Sequence, residues 1–149
     1  MSLRDTIEQA FDKTPTPMPP LVSTTYDDEG VTEYFTGTTW RGHSVENLRY
    51  HSVAMSFLTP EAHRYYLPAF MIAALDNREE ADIIPDHIVY HFSNTDEAFW
   101  QERIEKFSPQ ECGAIIAFIQ HFAHEHEPAD VQRAIEGLER IIARGQRST

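Results

Sequence analysis

Cysteine is nearly absent from this 149-residue chain: Cys112 stands alone, so no internal disulfide can form, and a reducing, cytoplasmic setting is expected. Long apolar runs are missing too. The longest uncharged stretch, Tyr65 to Leu75, is about half of the ~20 residues that a membrane span needs. The N-terminus has no basic region followed by an apolar one, so no signal peptide is expected. The six glycines are scattered singly, which argues against a phosphate-cradling loop, and no Gly-x-Ser-x-Gly element occurs. Basic residues are scarce: 12 Lys and Arg stand against 24 Asp and Glu, for a formal net charge of −12. Phosphate backbones and anionic membranes are bound by neutralising them with cations, so neither nucleic acid nor membrane is an expected partner. A basic protein is the partner that charge favours. The plainer competing reading is that the acidity serves solubility.

What is present is a run of helix signals. The hydrophobic fraction of 41% is ordinary for a globular chain, and the length fits a single domain over 1–149, with no repeat. Ser2 to Asp5 reads as a capping box ahead of a short amphipathic helix. Closely spaced prolines at 14–20 must end that helix and lay a stiff strap over the domain. Val22 to Thr36 reads either as a small hairpin or as a short helix that Asp27 or Asp28 caps, that presents Val31, Tyr34 and Phe35, and that Gly37 ends. Ser44 caps a helix expected to reach about Phe57, and Thr59 with Pro60 opens the central one, in which Pro68 predicts a kink or break. A charged loop is expected from Asp76 to Asp82. Pro85 predicts a turn of helix through Tyr90, and Asn94 or Thr95 a cap for the helix carrying Phe99, Trp100, Arg103 and Phe107. The clearest signals come last: a capping box at Ser108–Glu111, then Pro128 opening a striped helix with Gly145 as its stop. The expectation is an all-α domain of about six or seven short helices ending in an antiparallel helical hairpin. Tyr66, Phe70, Ile115, Ile119, Leu138 and Ile142 should share its core.

Eight histidines make metal the first chemical idea. His87 and His91 have i,i+4 spacing, but two histidines are half a zinc site. His121, His124 and Glu125 cluster near a helix end without His-Glu-x-x-His spacing, and with His126 they read as a solvated terminus. No metal or other cofactor is therefore expected. Arg64 is the most suggestive charge, standing among Tyr65, Tyr66 and His63 in an apolar segment. It must find a carboxylate, with Asp76, Asp86 or Glu61 as candidates, or else serve an anion or a partner together with Tyr65 and His63. Cys112 falls on a buried stripe, where a thiol is inert. The densest acids, Asp27, Asp28, Glu29, Glu33, Glu79, Glu80 and Asp82, lie outside the clean helical stripes and form the candidate recognition patch.

Two elements carry a family resemblance: Phe35-x-Gly37-x-x-Trp40, and the segment Phe57-Leu-Thr-Pro-Glu-Ala-His-Arg-Tyr-Tyr-Leu-Pro-Ala-Phe-Met71. Together they resemble the signature of a small bacterial family of uncharacterised function. His63 departs from it, since an aromatic residue, usually Phe, is expected there. The resemblance implies a helical bacterial domain and assigns no catalytic residue. The reading that follows is a non-enzymatic cytoplasmic interaction protein, of regulatory or toxin-neutralising type, that meets a basic partner. The alternative is a small metal-assisted enzyme using His87, His91 and a third ligand. The oligomeric state is not legible.

Overall fold

The capping signals set most of the helix starts. The computed structural model describes residues 1–22 and 29–147. Ser2 accepts the Asp5 N–H at 3.1 Å and Asp5 accepts the Ser2 N–H in return, opening α1 (Leu3–Phe11). After α2 (Val31–Phe35), Ser44 accepts the Asn47 N–H at 3.1 Å at the start of α3 (Val45–Tyr50). The helix expected to run from Ser44 to Phe57 is broken. His51 leaves helical geometry with its ring stacked on Tyr34 at 4.3 Å, and a separate α4 (Ala54–Phe57) follows.

Thr59 caps Ala62 at 3.2 Å and begins α5 (Pro60–Asp76). Every residue from Ala62 to Ala74 except Arg64 is buried, because α1, α3, α6, α7 and α8 all pack around this helix. That enclosure explains why Pro68 does not break it. Packing on all sides outweighs the ~3 kcal/mol that an interior proline costs, and α5 is continuous.

The expected loop from Asp76 to Asp82 contains α6 (Arg78–Ala81), because the Asn77 side chain accepts the Glu80 N–H at 3.1 Å. Helix α7 (Ile84–Ser93) runs beyond Tyr90. Asn94 does not cap the next helix; its side-chain amide donates to the Tyr90 carbonyl at 2.7 Å and closes α7. Helix α8 (Ala98–Ile104) therefore starts after Glu97.

The capping box at Ser108 and Glu111 opens α9 (Pro109–His121). A 3₁₀ turn (Ala123–Glu125) leads to α10 (Pro128–Arg147), packed against α9 and α7 as the expected hairpin. Gly145 is not a stop. It lies inside α10, where a Cβ would come within 2.5 Å of the Pro109 side chain, so its role is close approach between the two helices. Among the described residues there are thus ten α-helices, more than six or seven in part because the Ser44 helix divides and the expected 76–82 loop contains α6, and the fold is all-α. Of the Val22–Thr36 span, residues 23–28 lie outside the described residues, and Val31–Phe35 is the helix α2 and not a strand. Val22 itself forms an isolated antiparallel bridge with Leu58, and Thr59 N–H donates to the Leu21 carbonyl at 2.8 Å.

One apolar core runs through the molecule. Tyr66, Phe70, Ile115, Ile119 and Leu138 are buried in it, and Ile142 is partly buried against it. The two elements of the family resemblance meet directly. The Tyr66 hydroxyl lies 3.0 Å from the carbonyls of both Phe35 and Thr38, pinning the loop that Gly37 (φ 79°) and buried Trp40 shape.

Candidate functional site

Helix α7 places Ile83, His87, Tyr90 and His91 on one stripe at its i, i+4, i+7, i+8 positions, and α8 brings Trp100 against it. His91 and Trp100 stack with ring centroids 3.8 Å apart and planes 15° from parallel. Phe99 meets Trp100 edge-on at 4.8 Å, and the Arg103 guanidinium lies 3.6 Å from the Phe99 ring centre. Arg103 is only 2% exposed and donates to the carbonyls of Phe99 and Leu58 at 3.1 and 3.0 Å. His63 stands behind, 6.2 Å from Trp100 and 5.7 Å from Phe107.

This arrangement floors an open groove of about 510 Å³ lined by Ser56, Ile83, Asp86, His87, Tyr90, His91 and Trp100. Its upper edges are unusually apolar for a surface: Tyr90 is 60% exposed, Ile83 44% and the neighbouring Phe99 42%. The imidazoles beneath are neutral. Burial is the main cause, and it drives His63 down to about 3 and His91 to about 2, with the nearby Arg103 adding to both. Neither ring nitrogen of His63, nor Nδ1 of His91, has a hydrogen-bond partner. His87 is also lowered by burial, against the opposing pull of Asp86. A neutral, flat, aromatic floor with Asp86 in its lining can take apolar and cationic groups.

The other expected groupings come apart. His87 and His91 do share a helix, with ring centroids 5.7 Å apart, but among the described residues no three His, Cys, Asp or Glu side chains converge as a metal site would require. Glu125 is taken by Arg78, which donates to its Oε1 from Nε and Nη2 at 2.8 and 2.6 Å and holds its carboxyl below the usual range. His121 and His124 are exposed, whereas His126 is not the solvated end that was expected. Its side chain is 8% exposed and lies 3.5 Å from Asp86.

Arg64 pairs with none of Asp76, Asp86 or Glu61; its partner is Glu111, at 2.8 Å. The expected trio of Arg64, Tyr65 and His63 does not form, because consecutive helix positions face different neighbours. Tyr65 and His63 are buried in the core while Arg64 turns toward the strap. Burial pushes the Cys112 thiol up to about 12, as its place on an apolar stripe implied. Of the acidic patch, Asp27 and Asp28 lie outside the described residues. Glu79 and Glu80 sit on α6, Glu29 and Glu33 at α2, and Asp82 lies 3.6 Å from Arg49. Sequence reasoning missed the buried Arg103 and the His91–Trp100 stack. The stack depends on a contact across the α7–α8 turn and the burial of Arg103 on Leu58, 45 positions earlier, and neither has a local signal.

The fold and the groove together define an all-α domain with a surface aromatic groove. Residues 2–142 match the model of a family of unknown function, DUF6714, and the chain belongs to that family. No curated protein and no solved structure matches it. No helix of the described residues is long and apolar enough to cross a membrane.

Proposed function

We propose that the protein is a non-enzymatic interaction module that docks a basic protein partner over the α7–α8 groove. The observation that carries this is the concentration of exposed aromatic and apolar edges, Tyr90, Ile83 and Phe99, around the buried Trp100. Interface hot spots draw on large aromatic side chains of this kind, ringed by polar groups that exclude water. The charge around the groove sets the partner's sign: Asp86 lines it, and the chain carries −12 in all. Glu79 and Glu80, one turn earlier than Asp82, extend the acidic edge and would steer encounter. A regulatory or toxin-neutralising role in a bacterial cytoplasm fits such a module, and the lone buried Cys112 suits that compartment.

The test is affinity capture from a native extract with the wild type, Tyr90→Ala and Glu79→Lys/Glu80→Lys in parallel. A basic protein held by the wild type should be lost with Tyr90→Ala. Its association with the lysine variant should be slower at low salt and equal to wild type at high salt, because surface charges are screened within a Debye length of ~10 Å at 0.1 M. Retention of the partner by Tyr90→Ala would remove the groove from the interface.

A further inference from the structure

Arg64 is held through one nitrogen and leaves two unused. Its Nε donates to Glu111 Oε1 at 2.8 Å, while Nη1 and Nη2 have no hydrogen-bond partner among the described residues. Glu111 is itself fixed in place. It is 1% exposed, its Oε1 also accepts the Ser108 N–H at 2.7 Å, and its Oε2 accepts the Thr14 hydroxyl. A carboxylate pinned on both oxygens holds the guanidinium plane in one orientation, as an outer partner holds a ligand-binding side chain. The guanidinium lines a pocket of about 390 Å³ walled by Pro15, Pro17, Met18 and Pro20 of the strap, with Lys106 as a second cation. That volume lies within the range of small-molecule sites, as does the pairing of an apolar wall with few polar groups.

We propose that this strap pocket binds a small amphiphilic monocarboxylate. The carboxylate sits bidentate on Nη1 and Nη2 of Arg64, and the aliphatic or aromatic body lies against the prolines and Met18. The planar fork matches a carboxylate, and using it breaks no existing hydrogen bond. Charge selects a monoanion over a phosphate monoester. Arg64 is balanced by Glu111 and Lys106 lies 3.4 Å from Glu61, so the site has no net positive charge: the Arg64 fork can hold one carboxylate, and a second negative charge would add only repulsion from Glu61 and Glu111. Helix α5 begins at the pocket, where Thr59 and Glu61 contribute to the lining; the Glu61 carboxylate counters the positive end of the helix, so Arg64 is the group that holds the anion. The strap's prolines have restricted backbones, so little ordering is needed on binding. The pocket shares no lining residue with the α7–α8 groove and stands independently of the partner assigned there.

Titration calorimetry of the full chain with octanoate, kept below micelle-forming concentration, tests the site against octanol and octyl phosphate. Saturable one-to-one octanoate binding is expected, at least about tenfold tighter than octanol, the factor that a charge-assisted hydrogen bond supplies. Arg64→Gln should lower octanoate affinity by at least about tenfold. Because that change leaves Glu111 buried without its partner, Met18→Asp serves as a second variant. Met18 is 83% exposed, so the substitution should preserve the fold while repelling the ligand. Amide shifts in wild-type NMR spectra should concentrate at residues 15–20, 59–64 and 106. Failure to saturate, unchanged affinity in both variants, tighter binding of octyl phosphate, or shifts centred outside the strap would each overturn the assignment.

Discussion

Lowering the pH from 7 to 5 should cost the fold about 2 kcal/mol for each of His63 and His91, because both are neutral in the folded state and basic in the unfolded one. An exposed imidazole titrates at about 6.5. Burial holds the two folded values near 3 and 2. Between these limits the unfolded chain binds protons that the folded chain refuses, so stability rises with pH across the window. The contribution is fully present above about 6.5 and is lost as pH falls toward the folded values. At pH 5 the loss is about 1.5 units at 1.36 kcal/mol per unit, and it depends little on where below pH 4 the folded value lies. His51 and His87, also lowered by burial, act in the same direction. Carboxylates held low by ion pairs, such as Glu105 and Glu125, contribute in the opposite part of the scale. Their stabilisation is intact above their unfolded values and fades only as pH drops below about 4.5. His63→Phe isolates one histidine. The ring sits among Phe92, Trp100 and Phe107 with both nitrogens unpaired, so an aromatic hydrocarbon suits the site, and stability at pH 7 should hold or rise. Urea unfolding at fixed ionic strength, at pH 7 and pH 5, should show the variant losing about 2 kcal/mol less than the wild type. Equal losses in the two proteins would refute the assignment of a neutral buried His63.

Cutting Phe70, fully buried at the centre of α5, to Ala should cost ~3–5 kcal/mol in the same unfolding assay, and a loss below ~1 kcal/mol would place it outside the packed core. Gly145→Ala should destabilise by more than the helix propensity of alanine returns. The new methyl would meet Pro109 at 2.5 Å, and a rise in melting temperature would show that α9 yields there freely. Cys112 should resist iodoacetamide at pH 8 in the folded state and react once urea unfolds the chain; prompt labelling of native protein would contradict its burial and raised thiol pKa.

Local chemistry was readable and long-range pairing was not. Ser2, Ser44, Thr59 and Ser108 each cap the helix they precede, and the stripes of α9 and α10 assemble as a hairpin, because capping and helical period act over a few residues. The divided Ser44 helix was invisible because its break depends on His51 stacking against Tyr34, a residue of another element. Arg64 was recognised as needing a carboxylate, yet its partner, 47 positions away, fell outside the acids considered. The groove was read only in part. His87 and His91 share a face, as their spacing said, but the meaning of that face changes once Trp100 covers His91 and Arg103 is sealed beneath Phe99. Asn94 misled because a residue able to cap the start of one helix can equally finish the previous one.

The first helix has a consequence for how the protein is made. Helix α1 packs on α9 and α5, Phe11 meets Phe107 edge-on, and Thr14 reaches Glu111, 97 positions later. During synthesis at about 5–20 residues per second, Ile7 and Phe11 emerge on the order of 5–20 s before the helix that buries them exists. Throughout that interval a nine-residue amphipathic segment is too short to hold its own helix, and even once α5 has been made it has only part of the surface that finally covers it. The nascent chain therefore passes through a stage in which its start is a sticky, unfolded tether, available to a chaperone or to a neighbouring chain, and the domain closes only when its end arrives to cover its beginning.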